Sequence, residues 1–148
     1  MKCRSLPVSY IQFFSEGAVF PLKHKIKVRN WICRVIAAEK KEPWYINFVF
    51  CTDDYLVELN KTYLKQITLT DVITFNFSED PRLISGDIYI SIERVKENSE
   101  LLMEKFENEL YRVMIHGILH LIGYPDKSKA EKENMTMLED KYLSMRLL

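Results

Sequence analysis

The sequence predicts an α+β fold, a small mixed β-sheet of about four strands packed with about five helices. Four short runs rich in β-branched and aromatic residues have the character of strands, whereas longer segments place apolar residues at helical spacing. From residue 92 onward the chain is predicted to be helical almost to its end, so several helices must share one small sheet. At 148 residues the chain is long enough for a sizeable core, and we expect a single domain over residues 1–148.

The first half of the chain alternates strand and helix. Residues 8–14 and 44–51 are the predicted strands, because aromatic and β-branched side chains dominate both runs. Residues 22–41 between them show a helical period, and Pro43 ends that segment. Asp53 is expected to cap a short helix that follows the second strand.

The second half begins with two strands and continues as helix. Residues 72–77 and 87–92 are the predicted strands, and residues 78–86 between them contain a proline and a glycine that indicate a loop. From there the chain is expected to be helical, including the segments 104–122 and 128–147. The predicted order of elements is therefore β-α-β-α-β-β-α-α-α.

Composition excludes several classes of protein. Lysine plus arginine (21) equal aspartate plus glutamate (21), which argues against a strongly basic, sequence-blind nucleic-acid binder. No apolar run approaches the ~18–20 residues of a membrane span and no signal peptide is visible, so we expect no membrane partner. The cysteines, Cys3, Cys33 and Cys51, show no paired spacing and are expected to be buried thiols in a reducing cytoplasm.

A cluster of potential metal ligands lies at the end of the helix predicted for residues 104–122. His116 and His120 are four residues apart, which places both imidazoles on one helical face. Gly123 tolerates the left-handed conformation that commonly ends a helix, so the chain can turn back and bring Asp126 to the same point. Two imidazoles and a carboxylate leave one tetrahedral position open, as in catalytic zinc sites. The pattern predicts a metal-dependent hydrolase with a zincin-like metal helix.

Two alternatives can be weighed on the same residues. His116 and His120 could be core histidines, but unpaired imidazoles are costly to bury, so two on one apolar turn favour a metal site. The spacing is that of the H-E-x-x-H-x-x-G-x-x-H peptidases, but Gly117 replaces the glutamate that serves as general base, which disfavours a metallopeptidase. Asp126 replaces the third histidine and is a harder ligand, so one divalent ion is expected, Zn²⁺ first and Mn²⁺ as the alternative.

With glycine at its second position, the segment resembles the signature of the YbeY family of rRNA maturation endoribonucleases, H-G-x-L-H-L-x-G-Y-D-H. The positions that match are His116, Gly117, Leu119, His120, Leu121, Gly123 and Tyr124. Upstream segments at residues 59–63, 70–75 and 86–91 resemble the family's L-N-x-x-Y-R, T-D-V-L-S-F and G-D-I-x-I-S motifs, in the same order and spacing. The resemblance therefore extends from about residue 50 to residue 126.

This resemblance implies a metal-dependent, single-strand-specific endoribonuclease that acts on ribosomal RNA precursors, in 16S rRNA 3′-end maturation and ribosome quality control. The metal ligands at the signature positions would be His116, His120 and Asp126. The implied partners are single-stranded rRNA precursor and the ribosome or ribosomal proteins, with a GTPase as a further candidate. The alternative function is that of a metal-stabilised, non-catalytic factor associated with the ribosome.

The chain departs from the family pattern in two places. Pro125 and Asp126 stand where aspartate and histidine are usual, and Leu64 stands where an arginine usually follows Tyr63. An arginine there is suited to gripping two phosphate oxygens, whereas Lys65, one residue on, offers charge without the planar fork. Lys65 is therefore one candidate for a catalytic residue.

No side chain of the signature is an evident general base, so a metal-activated water is the expected attacking group. Asp71 and Asp87 are candidates for the base, although an aspartate beside a strand ordinarily caps a turn. The three lysines of residues 127–132 can guide a phosphate backbone toward the ligands, or form a solvated helix face. Tyr124 can stack on a base or pack against its own helix.

Overall fold

The computed structural model describes residues 10–64 and 71–146 of the chain. Four strands occur in these residues: β1 (Ile11–Glu16), β2 (Glu42–Cys51), β3 (Val72–Asn76) and β4 (Leu83–Ser91). Five α-helices occur there as well: α1 (Lys25–Ala38), α2 (Asp53–Leu59), α3 (Ile92–Leu101), α4 (Phe106–Ile122) and α5 (Lys129–Leu143). A π-helical turn, Asn60–Leu64, follows α2. The α+β class and the order of elements predicted from the sequence are confirmed.

The four strands form one mixed sheet in the order β1-β2-β4-β3. Strands β1 and β4 both run parallel to β2, whereas β3 pairs antiparallel with β4. Parallel neighbours need long connections, so α1 lies between β1 and β2, and α2 and β3 lie between β2 and β4. Strand β3 is therefore placed beside the last parallel strand of the sheet.

One face of the sheet is buried beneath the helices. Because side chains alternate along a strand, Ile46, Phe48 and Phe50 of β2 point to the same face, and all three are buried. On β4, Ile84, Ile88 and Ile90 belong to the same core. The indole N–H of Trp31 donates to the carbonyl oxygen of Tyr142 at 2.8 Å, which ties α1 to α5 across this core.

Helix α4 lies directly against β4, and this contact fixes the position of the residues that α4 carries. Gly117 is the point of closest approach: a Cβ built there would lie 2.6 Å from Cγ2 of Ile88. A larger residue would therefore push the helix away from a close-packed sheet. His116 and His120 lie on the flank of the helix beside this contact and are partly exposed.

The cap predicted for α2 is wrong by one residue. Thr52 caps the helix, because its hydroxyl oxygen accepts a hydrogen bond from the backbone N–H of Tyr55 at 3.2 Å. The carboxylate of Asp53 instead accepts from Nε of Arg94 at 3.1 Å. Asp53 thus ties the start of α2 to α3 rather than closing its own helix.

Strand β4 begins earlier than predicted, inside the stretch 78–86 that was expected to be a loop. Leu83 pairs with Glu42 and Ile84 pairs with Pro43, so β4 follows β2 along nearly its whole length. The glycine of this stretch lies within the strand rather than in a turn. The loop between β3 and β4 is correspondingly shorter.

The predicted burial of two cysteines is confirmed: Cys33 and Cys51 are 5% and 0% exposed, whereas Cys3 lies outside the described residues. Burial, with the charges of Asp53 and Glu93, raises the pKa of the Cys51 thiol to about 12. A thiol that stays protonated is a poor nucleophile, so Cys51 has a structural role. No helix in the described ranges is both long and apolar enough to cross a membrane.

Candidate metal centre

His116 and His120 occupy successive turns of α4 along a partly exposed flank of the helix. Their side chains are 23% and 24% exposed, so both rings are held by packing and remain reachable from solvent. The two Nε2 atoms are 2.9 Å apart. The rings stand edge to face, with 84° between their planes. The spacing of four residues thus brings two ring nitrogens to one point.

The end of α4 brings a carboxylate to the same point. Gly123 has a φ of 121°, a conformation that residues with a side chain rarely adopt, and here the helix ends. The N–H of Tyr124 donates to the carbonyl oxygen of Leu119 at 3.0 Å, which closes the last turn. The chain then reverses and places Oδ2 of Asp126 3.2 Å from both histidine Nε2 atoms.

The three side-chain atoms have the spacing of metal ligands. They form a triangle with sides of 2.9, 3.2 and 3.2 Å. Ligand atoms bonded to a tetrahedral zinc ion at about 2.0–2.1 Å lie about 3.3 Å from one another. The triangle therefore fits three ligands of such an ion, and a zinc ion held there would have a fourth position for water or substrate. The residues present fit one divalent ion.

The second nitrogen of each ring identifies its tautomer. Nδ1 of His116 lies 2.7 Å from Oε2 of Glu139, and Nδ1 of His120 lies 3.0 Å from the carbonyl oxygen of Tyr124. A carboxylate and a carbonyl oxygen only accept hydrogen bonds, so each Nδ1 carries the hydrogen. When both rings are neutral, each Nε2 then presents a lone pair toward Asp126. Three acceptor atoms meet without a donor, an arrangement that favours a cation between them.

The charges around His116 also favour a cation. Burial acts to lower the pKa of His116, but the hydrogen bond and charge of Glu139, with the charges of Asp126 and Asp71, raise the pKa above its ordinary value. The negative field that attracts a proton attracts a metal ion as well. Proton and metal compete for the same nitrogen, so we expect metal binding to weaken as the pH falls.

Comparisons with known proteins identify the family to which this geometry belongs. The family model of endoribonuclease YbeY matches residues 17–146. The chain belongs to the YbeY family. A relative from Flavobacterium psychrophilum named endoribonuclease YbeY is 48% identical over 132 residues, which cover 89% of this chain and 94% of that protein. Another from Cytophaga hutchinsonii is 43% identical over 136 residues, which cover 92% of this chain and 95% of that protein.

A solved structure shares the fold. The solution structure of TM1509 from Thermotoga maritima matches with a TM-score of 0.61 and 30% sequence identity. The match covers 90% of this chain and 87% of that one. The architecture that positions the candidate metal centre is therefore shared with an experimentally determined structure.

The YbeY signature stops before Glu139, and sequence reasoning missed this residue. Glu139 lies on α5 among Met135, Leu138 and Tyr142, all of them buried, and is itself only 7% exposed. Glutamate is almost never buried without a partner. The sequence signal for Glu139 was therefore its position, an acidic residue among the apolar residues on one face of a helix.

Asp71, one of the two candidates for a general base, borders the metal centre. It lines a small cavity of about 150 Å³ together with His116 and Glu139. Its carboxylate accepts a hydrogen bond from Nδ2 of Asn98 at 3.5 Å, and its charge contributes to the raised pKa of His116. Asp71 is therefore close enough to influence the ligands.

Asp87, the other candidate, faces away from the metal centre. Its neighbour Ile88 contacts Gly117 of α4, and because side chains alternate along a strand, Asp87 points to the opposite face of the sheet. There its carboxylate accepts a hydrogen bond from Nδ2 of Asn47 at 2.9 Å. This placement argues against Asp87 as a base at this centre.

The position that the family pattern assigns to an arginine lies at the limit of the described residues. Tyr63, just before it, is 66% exposed in the π-helical turn, and its ring stands edge-on to Phe75. Lys65 lies outside the described residues, as does the side chain of Leu64. The role suggested for Lys65 stays a prediction.

Tyr124 is engaged in packing. Its hydroxyl donates to Oε1 of Glu39 at 2.6 Å, and the hydroxyl of Tyr142 donates to the other oxygen of the same carboxylate. The ring packs against the main core. These contacts favour the packing role over base stacking, and they hold in place the backbone carbonyl that orients His120.

Proposed function

We propose that this chain is a metal-dependent endoribonuclease that cleaves single-stranded RNA in ribosomal RNA processing. The observation that carries the proposal is the triangle of two imidazole nitrogens and one carboxylate oxygen, with sides of 2.9, 3.2 and 3.2 Å. The Asp126 side chain is 36% exposed, so an RNA strand can reach the centre. Membership of the YbeY family, whose relatives are named endoribonucleases, supports the substrate class.

We propose Zn²⁺ as the resident ion, held by His116, His120 and Asp126. Two imidazoles suit zinc, whereas the carboxylate makes the set harder and leaves Mn²⁺ as the alternative. When bound, such an ion supplies Lewis acidity to a phosphodiester oxygen and lowers the pKa of a water molecule. The chain's own contribution is to hold both rings as Nδ1–H tautomers, so that each Nε2 is available.

The RNA backbone is proposed to approach along the start of α5. The three lysines of residues 127–132 follow Asp126 directly and are all exposed. Ser128 and Glu131 form a reciprocal capping box, which fixes the first turn of the helix beside the ligands. Positive charges held near the metal centre attract phosphate and support this path.

The proposed biological setting is 16S rRNA 3′-end maturation and ribosome quality control in the cytoplasm. The ribosome or ribosomal proteins are the proposed partners, with a GTPase as a further candidate. The family signature and its upstream motifs support this setting. A chain of zero net charge gains little affinity for RNA from bulk electrostatics, which supports recruitment by a specific partner.

Cleavage of a single-stranded rRNA precursor by the metal-loaded protein tests the proposed function. The wild type is expected to cleave the strand, to lose this activity with a chelator, and to leave a duplex of the same sequence intact. His116→Ala should reduce cleavage to background. The control is His24→Asn, a change at an exposed histidine whose left-handed conformation (φ 59°) asparagine tolerates. Equal nicking by the wild type and His116→Ala would indicate a contaminating nuclease and contradict the proposal.

Two other functions predict different outcomes. A non-catalytic ribosome-associated factor would bind the metal without cutting RNA. A metallopeptidase of the zincin type needs a glutamate at position 117, where even a Cβ would lie 2.6 Å from Cγ2 of Ile88. The packing of α4 on β4 therefore disfavours the peptidase. Chelator-sensitive hydrolysis of a peptide would be required to revive it.

A further inference from the structure

The carboxylate of Glu139 joins a metal-ligand candidate to a partly buried ion pair. Its Oε2 accepts from Nδ1 of His116 at 2.7 Å, and its Oε1 accepts from Nη1 of Arg112 at 3.0 Å. The second terminal nitrogen of Arg112 donates to Oδ1 of Asp140 at 2.7 Å. Both oxygens of Glu139 are therefore engaged, and its side chain is only 9% exposed.

Burying this carboxylate is unfavourable unless its partners compensate. An ionised group taken out of water loses several kcal/mol of solvation, and ion pairs are often no better than apolar packing at such positions. The neighbouring buried positions of α5 are apolar, so packing alone would favour an apolar residue at position 139 as well. The hydrogen bond to His116 is what an apolar residue could not supply.

We propose that Glu139 is a positioning residue of the metal centre. It holds His116 as the Nδ1–H tautomer, so that Nε2 faces Asp126 with its lone pair free, and it makes the ring a stronger donor to a cation. Arg112 holds Glu139 in the orientation that this contact requires. The proposal rests on the proposed metal site and is independent of whether RNA is cleaved.

The two histidines are not equivalent in this arrangement. Nδ1 of His120 donates to a neutral acceptor, the backbone carbonyl of Tyr124 at 3.0 Å, which the end of α4 fixes in place. His116 instead donates to an anion on a different helix. Removing the charge of Glu139 should therefore act on His116 and leave the tautomer of His120 unchanged.

Asp140 provides a matched control for Glu139. The two residues are adjacent on α5 and both accept a hydrogen bond from Arg112. The side chain of Asp140 is 61% exposed, and its described polar contact is with Arg112 alone. If Glu139 serves only to anchor Arg112, the two residues should behave alike.

Glu139→Gln distinguishes the anchoring of Arg112 from the orientation of His116, because an amide has one acceptor oxygen where a carboxylate has two. Arg112 and the Nδ1–H of His116 both donate, and each needs an acceptor oxygen, but an amide offers only one. If the amide nitrogen faces His116, it forces the ring toward the Nε2–H tautomer and blocks the ligand atom. If the amide oxygen faces His116, the tautomer is kept but the charge is lost.

The test compares the zinc affinity of wild type, Glu139→Gln and Asp140→Asn by competition with a chromophoric chelator. We expect Glu139→Gln to weaken zinc binding by about 10- to 100-fold. Asp140→Asn should change the affinity by no more than about fivefold, since exposed ion pairs contribute little. Long-range ¹H–¹⁵N NMR of the metal-free proteins should show His116 protonated at Nδ1 in the wild type and in Asp140→Asn. In Glu139→Gln that state should be lost or mixed.

The outcomes separate this proposal from the proposed function. Wild type that binds no zinc would overturn both. Wild type that binds zinc, with equal affinities for Glu139→Gln and Asp140→Asn, would overturn the role of Glu139 alone. Thermal unfolding in the presence of chelator shows whether Glu139→Gln is folded. If it is not, the wild-type NMR measurement decides: an Nε2–H tautomer of His116 contradicts the proposal.

Discussion

Asp126 is the residue that distinguishes this candidate centre from the usual pattern of the YbeY family. Its carboxylate carries a charge that a neutral histidine lacks, so a bound divalent ion would leave the site with one net positive charge instead of two. A carboxylate oxygen also suits harder ions better than an imidazole nitrogen does. One residue can therefore shift the metal preference without moving the other two ligands.

Asp126→His should restore the usual ligand set and raise the preference for Zn²⁺ over Mn²⁺. We expect the ratio of the two affinities to rise by about tenfold, or ~1.4 kcal/mol, because a softer ligand replaces a hard one. Competitive titration of the two metals on the purified protein measures this ratio. Asp126→Ala is the control and should weaken both metals together. An unchanged ratio in Asp126→His would show that position 126 lies outside the coordination sphere.

At the scale of the secondary-structure element, α4 has to satisfy two requirements at once. One face must lie against the central strand β4, and the flank beside it must present His116 and His120 to the candidate metal centre. Gly117 meets the first requirement because it leaves room for Ile88. Gly117 therefore has two consequences. It replaces the glutamate that serves as general base in the peptidases, and it allows α4 to pack closely against β4.

Gly117→Ala should destabilise the protein although alanine is the better helix former. The helical preference contributes up to about 1 kcal/mol in favour of alanine. Against this, the new Cβ would lie 2.6 Å from Cγ2 and 3.2 Å from Cδ1 of Ile88, which is fully buried on a central strand and has little room to move. Overpacking of this kind costs about 1–3 kcal/mol. We expect a net loss of about 1 kcal/mol in the free energy of unfolding, measured by denaturant titration.

A double-mutant cycle with Ile88→Ala tests whether the loss of stability in Gly117→Ala arises from the contact between positions 117 and 88. Ile88→Ala alone should cost about 2–5 kcal/mol because it leaves a cavity. In that background the added methyl group of Gly117→Ala has space, so its cost should fall to zero or change sign. If the two losses simply add, the destabilisation comes from elsewhere in α4.

The parts of the centre that depend on local geometry could be predicted from the sequence. The spacing of His116 and His120 and the helix end at Gly123 depend on a few neighbouring residues, and the structure brings Asp126 to both rings. Glu139 and Asp87 depend instead on which face of α4 meets the sheet and where α5 packs. Those contacts join residues far apart in the chain, and the hydrophobic period of each segment alone does not specify them.

At the scale of the whole molecule, the order of elements could be predicted but the order of strands could not. Strand β3 follows β2 in sequence, yet β4 pairs with β2 and β3 pairs on the far side of β4. This arrangement brings the start of β3 next to α4, so that Asp71, Glu109 and Glu139 line one cavity with Arg112. A chain of zero net charge thus gathers acidic groups beside its candidate metal centre.

Glu109 illustrates how these neighbouring acidic groups reduce the stability of the folded protein at neutral pH. It is 7% exposed on α4. Burial raises the pKa of Glu109, the charge of Asp71 raises it further, and the charge of Arg112 offsets part of the effect. Because the folded-state pKa lies above the unfolded value of about 4.3, the folded protein binds more protons in the interval between the two. Protonation of Glu109 therefore contributes to the free energy of unfolding. This contribution is complete below the unfolded pKa, and it is lost as the pH rises through the folded pKa.

Glu109→Gln should therefore stabilise the protein at neutral pH and have little effect in acid. Glutamine keeps the shape of the side chain and removes the charge whose burial is unfavourable, so we expect a higher Tm than wild type at pH 7. The difference should nearly disappear by about pH 3, roughly one unit below the unfolded pKa, where most of the glutamate is protonated in both states. Thermal unfolding across this pH range, with chelator present to exclude metal binding, measures it. Glu107→Gln, an exposed change on the same helix, should leave Tm nearly unchanged at both pH values. A Tm for Glu109→Gln below that of wild type at pH 7 would mean that the charge of Glu109 stabilises the fold, and that the charge of Arg112 outweighs both the burial of Glu109 and its repulsion from Asp71.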